Sequence, residues 1–471
     1  MTTKIQKSYT RLPERFYERT YPETVKKPEL VLVNKKLAAD LDIKTDNIKK
    51  TAEVFSGQEV LPGSEPVATA YAGCQFGHFV PQLGDGRAHL LGEVKGFDVQ
   101  LKGSGKTKFS RGGDGKSTLE SVIREFLVSE AMHALEIPTT RSLCIVKPEE
   151  DIYRGDKFVP AGILTRLAES HIRVGTFEYF SYRDDKKALE LLIDYAVCRH
   201  FPEIRSENLE DRCLNFLRAF AERQGALVSK WYGVGFIHGV MNTDNCSIAG
   251  LTLDYGPCAF LDEFQWQKVF SYIDKGGRYS YANQMSITKW NILKLAHCLA
   301  PFIGDDKQST SLKINDALYD TLSSFDEKIY KVFLKKLGLH DYSHEGKLIV
   351  EEFLKYLEIN SLDFTLSFSN LPALYHGETK FYSKTKSFNS FLQKWKATKP
   401  DLDLISRYNH KIIPRNHQIQ NVIYHANQNQ YDPLKKMWEG LQNPFNLEKK
   451  HQYLETPPKD HERIYQTFCG T

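Results

Sequence analysis

The sequence lacks several features that assign a protein to a class at once. Its eight cysteines are dispersed, with no CxxC pair and no cysteine–histidine group at zinc spacing, which argues against a zinc site. No apolar run approaches the length of a membrane span, and the N-terminus has no signal-peptide core. The 63 basic and 59 acidic residues nearly cancel, which argues against a dedicated nucleic-acid or membrane-surface protein. We therefore expect a cytoplasmic protein with reduced thiols that binds neither nucleic acid nor membrane.

A complete P-loop is also missing, although the segment 101–120, LKGSGKTKFSRGGDGKSTLE, contains two partial copies of it. The motif G-x-x-x-x-G-K-[ST] needs a first glycine that closes the phosphate-binding turn. Gln100 and Ser110 occupy that position in the two copies. The segment is therefore either another kind of anion-binding loop or a solvated basic turn.

The length of the chain allows more than one packed unit. With 471 residues, 41% of them apolar, two or three units are expected. A strand-rich stretch precedes long amphipathic stretches, so the fold class is predicted to be α+β. We predict an N-terminal extension, a sheet-rich lobe, a larger helical lobe and a C-terminal helical extension, at residues 1–64, 65–180, 181–345 and 346–471.

A hairpin and a helix are predicted inside the sheet-rich lobe. The segments 88–94 and 97–103 have strand character, and Lys95-Gly96 between them suits a two-residue turn. Ser117 followed by Glu120 is a capping box, after which apolar residues recur at helical spacing. The sequence therefore predicts one prominent helix after two paired strands.

The stretch 235–264, GFIHGVMNTDNCSIAGLTLDYGPCAFLDEF, has the spacing of a kinase catalytic segment. In kinases, H-R-D-x-x-x-x-N precedes D-F-G; the first Asp is the base, and the Asn and the second Asp hold magnesium. Here Val240 replaces the base, whereas Asn245 and Asp254 keep the metal-ligand positions. Asp244 is the candidate substitute base. Alternatively these residues only form turns, in which Asn, Asp and Gly are common.

A lysine and two glutamates could complete a kinase-like nucleotide site. Kinases pair a strand lysine with a glutamate of the next helix. Lys102 ends the second predicted strand, and the predicted helix carries Glu125 and Glu130. Glu130 lies near the apolar face of the helix and Glu125 points away from it, so periodicity favours Glu130 as the partner. A lysine at the end of a strand is otherwise often a solvated edge charge.

Four successive blocks together resemble the selenoprotein O family, also called the YdiU family. This resemblance implies a protein-kinase-like two-lobed fold, with a small sheet-rich N-lobe that carries one key helix and a larger helical C-lobe. It also implies transfer of AMP from ATP to Ser, Thr or Tyr hydroxyls of proteins, with Mg²⁺ or Mn²⁺ and release of pyrophosphate. Protein substrates, and the chain itself, are then the expected partners. The blocks lie within residues 65–290 and read YAGCQFGHFVPQLGDGRAHLLGEV, LKGSGKTKFSRGGDGKSTLESVIREFLVSEAMHALEIPTTRSL, RLAESHIRVGTFEYF and GVMNTDNCSIAGLTLDYGPCAFLDEF.

The resemblance also implies a role for each candidate site residue. Asp244 becomes the proton acceptor, and Asn245 and Asp254 become the metal ligands. Residues expected to form the nucleotide site are Gly84, Gly86, Arg87, Lys102 with Glu125 as its partner, Asp114, Gly115, Arg166, Arg173 and Asp254. For the two arginines, which are seven residues apart, exposure on one face of a helix is the alternative.

Two other functions and one regulatory feature stay open. A kinase that transfers the γ-phosphate is disfavoured because the usual base is absent, and a nucleotide-binding scaffold without activity is disfavoured because Lys102 and the metal ligands are retained. Relatives often carry a cysteine or selenocysteine near the C-terminus, which makes a disulfide between Cys469 and a residue such as Cys258 conceivable. An inert thiol is the alternative for Cys469. The sequence does not decide the oligomeric state, and we favour a monomer.

Overall fold

The computed structural model describes residues 5–383 and 385–468, with strands concentrated before residue 170 and helices after it. The strands are β1 (Tyr17–Arg19), β2 (Glu29–Val33), β3 (Val67–Thr69), β4 (Gly73–Gln75), β5 (His78–Val80), β6 (Ala88–Val94), β7 (Phe97–Lys102), β8 (Ser117–Thr118), β9 (Arg141–Lys147), β10 (Asp151–Arg154), β11 (Lys157–Ala168), β12 (Phe236–Ile237) and β13 (Ala259–Phe260). The helices are α1 (Lys35–Asp40), α2 (Ile48–Phe55), α3 (Leu119–Ala134), α4 (Val174–Tyr182), α5 (Lys186–His200), α6 (Leu209–Val234), α7 (Gln284–Leu299), α8 (Lys307–Ser323), α9 (Phe325–Lys336), α10 (His344–Ile359), α11 (Phe364–Ser369), α12 (Leu371–Tyr375), α13 (Lys386–Ala397), α14 (Leu402–Tyr408), α15 (Asn416–Ala426) and α16 (Asp432–Leu441).

The main sheet has the strand order β1-β3-β6-β7-β11-β9-β2, with β8 and β10 added against β11. Neighbouring strands are antiparallel. The hairpin of β6 and β7 turns at Lys95 and Gly96, whose φ angles are 48° and 85°. A type I′ turn requires positive φ at both central residues. The predicted hairpin and the antiparallel α+β class are confirmed.

Residues 17–33 supply both edge strands of the main sheet. Strand β1 pairs with β3 at one edge, and β2 pairs with β9 at the other. These edge strands have only three and five residues, which limits the row of unpaired backbone groups at each edge. The boundary predicted at residue 64 stays a prediction, as do the other boundaries, but the sheet takes strands from both sides of that point.

The helix α3 begins later than the capping box at Ser117 predicts, and that part of the prediction is wrong. Ser117 lies in β8, where it pairs with Gly162 of β11. The N-cap is Thr118, whose side chain accepts a hydrogen bond from the Ser121 N–H at 3.1 Å. Because the backbone of Ser117 is held in the sheet, the next hydroxyl along the chain caps the helix.

Both faces of α3 are covered by other parts of the protein. The sheet covers one face through β9 and β11, while α15 and α16 cover the other. The rings of Phe126 and Trp438 meet edge to face with centroids 5.6 Å apart, and Arg124 donates to the Asn416 amide oxygen at 3.3 Å. The C-terminal helices therefore fix the position of α3 in the fold.

The helical part of the chain is organised around α6. This helix of 26 residues packs against α7, α8 and α9. Gly235, with φ 69°, caps the C-terminus of α6, and the chain then enters β12 and the segment that holds the predicted catalytic residues. Among residues 5–383 and 385–468, we find no helix with the length and apolar character needed to cross a bilayer.

Arg415, just before α15, ties the C-terminal helices to the rest of the protein. Its side chain is fully buried and its guanidinium contacts Asp262 at 2.6 Å and Asp363 at 2.8 Å. Burial raises the pKa of Asp262 although Arg415 opposes that rise. The carboxylates are thus costly to bury and depend on one cation.

We expect Arg415→Met to lower the free energy of unfolding by about 3–5 kcal/mol, because it leaves two buried carboxylates without their counter-ion. Urea unfolding followed by circular dichroism measures the loss. The matched control is Arg19→Met, which removes a half-exposed arginine paired with Glu14 at 3.3 Å and should leave the urea midpoint nearly unchanged. Equal effects of the two changes would contradict this assignment.

Candidate active site

The predicted site residues converge on one cavity of about 490 Å³. The cavity is bounded by strand residues of the main sheet, by two loops rich in glycine, and by the segment that follows α6. Glu125 does not line it but contacts Lys102, which does. The other predicted residues all line it: Gly84, Gly86, Arg87, Lys102, Asp114, Gly115, Arg166, Arg173, Asp244, Asn245 and Asp254.

Glu125 of α3 bridges two cations that extend from neighbouring strands. Its carboxylate accepts from Lys102 Nζ at 2.5 Å and from Arg166 Nη1 at 3.1 Å. Lys102 on β7 pairs with Leu164 of β11, and residues two apart on a strand share a face, so Arg166 extends from the same side of the sheet. The register therefore brings the two cations to one carboxylate.

Glu130 has a different set of partners, so its assignment to Lys102 from helical periodicity is wrong. It accepts hydrogen bonds from Arg141 at 2.9 and 2.8 Å and from Asn34 at 2.7 Å. Both glutamates are buried because α3 is covered on both faces. A helical wheel assumes one buried face and one exposed face, and that assumption fails for this helix.

Asp254 adds a partly buried carboxylate to this group of charges. Its Oδ1 lies 2.6 Å from Lys102 Nζ. Burial opposes ionisation, but Lys102, Arg166 and Arg87 outweigh it and hold the pKa of Asp254 well below its ordinary value. The φ angle of Asp254 is 67°, a left-handed conformation that costs an aspartate about 1–3 kcal/mol and is kept only where surrounding contacts enforce it.

Asp244 lies in the 3-10 turn Thr243–Asn245, under the β4–β5 hairpin. Its Oδ1 is buried without a hydrogen-bond partner among the described residues, and its Oδ2 is 3.4 Å from Gln75 Nε2. Burial raises the pKa of Asp244 to about 6. A Cβ on Gly73 would lie 2.4 Å from Asp244 Oδ1, so the absence of a side chain there makes room for the carboxylate.

Asn245 and Asp254 each keep an oxygen that could hold a cation. The Asn245 side chain donates its Nδ2–H to the Val240 carbonyl at 3.0 Å, which leaves Oδ1 as its acceptor. Within the described residues, no group of three or more His, Cys, Asp or Glu side chains could form an all-protein metal cage. Two oxygen ligands suit Mg²⁺, which commonly takes one or two protein ligands and completes its shell with phosphates and water.

Arg173, at the N-terminus of α4, holds the turn of Asp244 and keeps an unused donor. Its Nη1 donates to the Asp244 carbonyl at 3.1 Å, and its guanidinium lies 4.1 Å from the centre of the Tyr71 ring. Its Nη2 is buried without a hydrogen-bond partner in the described part of the chain, 3.8 Å from Asp85 Oδ1. Arg173 and Arg166 are 3% and 5% exposed, so the alternative of two exposed helical arginines is wrong.

Glycines let the two loops that border the cavity approach each other. Gly84 has φ 70°, and a Cβ there would lie 2.2 Å from Phe109 Cγ. Gly115 has φ 70°, and a Cβ there would lie 2.1 Å from the Gly105 carbonyl oxygen. Packing alone therefore explains why glycine occupies these two positions.

Asp114 is already paired with an arginine that the sequence did not single out. Arg154 of β10 donates to both Asp114 carboxylate oxygens, at 2.7 and 2.8 Å. Burial opposes ionisation, but the hydrogen bonds from Arg154 and from Lys116 N–H hold the pKa of Asp114 below its ordinary value. Asp114 thus positions Arg154 at the cavity rather than presenting a free carboxylate to it.

Asp85 and Tyr71 were also missed by sequence reasoning. Asp85 is 2% exposed and accepts hydrogen bonds from the Thr69 hydroxyl at 2.6 Å and from Gln100 at 3.2 Å. Its place between the two identified glycines was the available signal. No such signal pointed to Tyr71 or to Arg154, because their partners are distant in sequence.

Comparison with known proteins identifies the family. The family described as protein adenylyltransferase SelO matches residues 1–442. The chain belongs to the SelO family. The relationship predicted from the four motif blocks is therefore confirmed, and family membership supports an enzyme of the nucleotidyltransferase class with ATP as its substrate.

Full-length relatives agree with this assignment. A protein of Agrobacterium fabrum named protein nucleotidyltransferase YdiU is 42% identical over 488 residues, covering 99% of this chain and 100% of the relative. Proteins of the same name from Maridesulfovibrio salexigens and Teredinibacter turnerae are each 41% identical. These alignments cover 98% and 99% of this chain, and 97% and 100% of the relatives, respectively.

We expect Gly84→Ala to destabilise the protein by about 3 kcal/mol, through left-handed strain and a clash with the Phe109 ring. The matched control is Gly112→Ala, at φ 85° with no atom within 4 Å of the added Cβ, which carries the strain alone and should cost about 1 kcal/mol. Urea unfolding of both variants separates the cost of the backbone strain from the cost of the clash with Phe109. A Gly84 variant as stable as the control would mean that the loops do not pack in this way.

Proposed function

We propose that this chain is a magnesium-dependent protein adenylyltransferase with a kinase-like two-lobed arrangement. It transfers AMP from ATP to Ser, Thr or Tyr hydroxyls of proteins, itself included, and releases pyrophosphate. The observation that carries the proposal is that Asp244, Asn245 and Asp254 line one cavity with Lys102, whose partner is Glu125. Mn²⁺ would suit the same oxygen ligands.

Nucleotide binding is assigned to the cations of the cavity. Lys102 and Arg166 each give part of their hydrogen-bonding capacity to Glu125, whereas Arg173 keeps Nη2 unused. A guanidinium with a free N–H suits a phosphate oxygen and stays charged at any working pH. Arg173 therefore makes the principal new contact to the phosphates, with Lys102 and Arg87 beside it.

The metal is assigned to the Asn245 Oδ1 and an oxygen of Asp254. When bound, Mg²⁺ supplies positive charge that neutralises the departing pyrophosphate. The two residues follow the spacing of the kinase metal ligands, and their remaining oxygens are acceptors of the type that Mg²⁺ prefers. The buried cations around Asp254 keep its carboxylate ionised, as a metal ligand must be.

Asp244 is assigned to proton acceptance. As the hydroxyl oxygen of the substrate protein forms a bond to the α-phosphorus, the bond from that phosphorus to the bridging oxygen breaks and pyrophosphate leaves. The hydroxyl proton passes to Asp244, whose Oδ1 has no hydrogen-bond partner in residues 5–383 and 385–468. A carboxylate with an open acceptor at the cavity wall suits this role.

The decisive experiment incubates the protein and candidate substrate proteins with Mg²⁺ and ATP labelled at either the α or the γ phosphorus. We expect protein-bound label only from the α position, with release of pyrophosphate. Label from the γ position alone would establish a kinase. Nucleotide binding without any incorporation would establish a scaffold.

We expect Asp254→Asn and Asp244→Asn each to lower transfer at least about 100-fold while the protein stays folded. Asp254→Asn should also weaken the dependence of activity on Mg²⁺ concentration, whereas Asp244→Asn should leave nucleotide affinity nearly unchanged. The matched control is Asp432→Asn, which alters a carboxylate that is 99% exposed and should retain full activity. Wild-type rates in both site variants would overturn the assignment.

A further inference from the structure

A second cavity, of about 850 Å³, lies away from the proposed active site. It forms where the C-terminal end of α3 meets α6, α9, the end of α14 and residues 445–446. It has no lining residue in common with the active-site cavity. Its contents would therefore occupy a separate site.

The charges around this second cavity are of nearly one sign. Glu136 is the one acidic residue among the described residues that line it. Such a surface attracts anions and repels cations. The basic residues that line it are Lys230, Lys328, Lys331, Lys335, Lys336 and Arg407.

Lys336, the last residue of α9, is the unusual member of this set. It is 2% exposed, and its ammonium lies 4.5 Å from the centre of the Phe368 ring and 5.7 Å from that of Phe364. No carboxylate or hydrogen-bond acceptor contacts this ammonium in the described part of the chain. Burial accordingly lowers the pKa of Lys336 to about 7. A buried amine without an anion is costly to keep.

The other basic side chains are only partly neutralised. Lys328 and Lys331 are paired with carboxylates, each at 2.6 Å. Lys335 lies over the ring of Tyr408, 5.1 Å from its centre, and Lys230 donates to the Glu136 carbonyl at 2.8 Å. Positive charge therefore remains around the buried amine.

The walls of the cavity add a neutral donor or acceptor and aromatic surface. His410 is 1% exposed, and its Nε2 has no hydrogen-bond partner among residues 5–383 and 385–468. Burial, with Lys336 and Arg415 nearby, lowers the pKa of His410 well below its ordinary value. Phe445 packs on this imidazole edge to face at 6.4 Å. A ligand with an apolar part beside its charge suits such walls.

We propose that this second cavity binds a small phosphate-bearing molecule whose phosphate contacts Lys336. Lysine is a common phosphate ligand, acting as a concentrated point charge. The volume accommodates a phosphorylated organic molecule as well as inorganic pyrophosphate. An anion beside Lys336 would supply the counter-ion that the fold omits. The proposal does not depend on the chemistry assigned to the active site.

The test is calorimetric titration of the full chain with inorganic pyrophosphate in the absence of divalent metal. We expect a binding event that Lys336→Met weakens at least about tenfold, because a charge-assisted contact is lost. Lys102→Met should affect only binding at the active-site cavity. The matched control is Lys347→Met, which removes a lysine outside the second cavity, 3.8 Å from Glu351, and should bind as wild type does.

A second readout does not require a variant to fold. Acetic anhydride modifies accessible amines, and mass spectrometry gives the rate at each lysine. Saturating pyrophosphate or ADP should slow the modification of Lys335, which lines the cavity and is only partly buried, and leave that of Lys347 unchanged. Lys336→Met itself should keep or raise the melting temperature, because methionine packs against the same rings without a buried charge.

The outcomes separate the sources of the phosphate. Tighter binding of ADP than of pyrophosphate at the Lys336-dependent site would identify a phosphorylated organic molecule, and equal binding would identify free phosphate or pyrophosphate. A tetraglutamate peptide should bind far more weakly than either. Binding curves that Lys336→Met leaves unchanged, modification of Lys335 that the ligand does not slow, or preference for the peptide would each overturn the proposal.

Discussion

The geometry of the active-site cavity depends on one buried group of charges. Lys102 and Arg166 come from adjacent strands, Glu125 from α3 and Asp254 from the segment after α6, so two cations and two carboxylates meet. Their formal charges cancel, which makes the burial of Lys102, Arg166 and Glu125 beside the partly exposed Asp254 tolerable. Removing one would leave a buried charge uncompensated, so these four side chains hold together the sheet, α3 and the segment after α6.

The position of α3 also follows from the need to place Glu125 beside Lys102 and Arg166. A helix that presents Glu125 to two cations must have a fixed rotation, and Glu130 fixes it further by binding Arg141 and Asn34 on another side. The edge-to-face contact of Phe126 with Trp438 closes the remaining face. The strand register, the two carboxylates and the aromatic contact therefore together fix the position of α3.

The sequence predicted those parts of the fold that depend on neighbouring residues. The turn at Lys95 and Gly96 is local, and so is the pattern of apolar residues in α3. The start of α3 could not be derived locally, because Ser117 is drawn into the sheet by Gly162, a residue 45 positions away. Contacts between residues far apart in the sequence were harder to predict. Nothing in the sequence indicated that Arg415 would pair with two distant aspartates.

The site was predictable to the extent that its chemistry lies in compact motifs. Asp244, Asn245 and Asp254 fall within eleven residues, and all three line one cavity. The choice of Glu125 over Glu130 needed the family resemblance, because periodicity takes no account of a helix buried on both sides. Tyr71 and Arg154 enter through tertiary contacts that no spacing rule describes, whereas Asp85 lies between two glycines that the sequence did single out.

The packing of α15 and α16 against α3 determines when the free energy for aligning Glu125 is supplied. A helix wedged between a sheet and a second layer has no vacant space into which it can swing. The free energy needed to align its glutamate is therefore met once, during folding, and is not drawn from each arriving nucleotide. Glu125 is therefore already in position before a nucleotide arrives, and α3 need not move to place it.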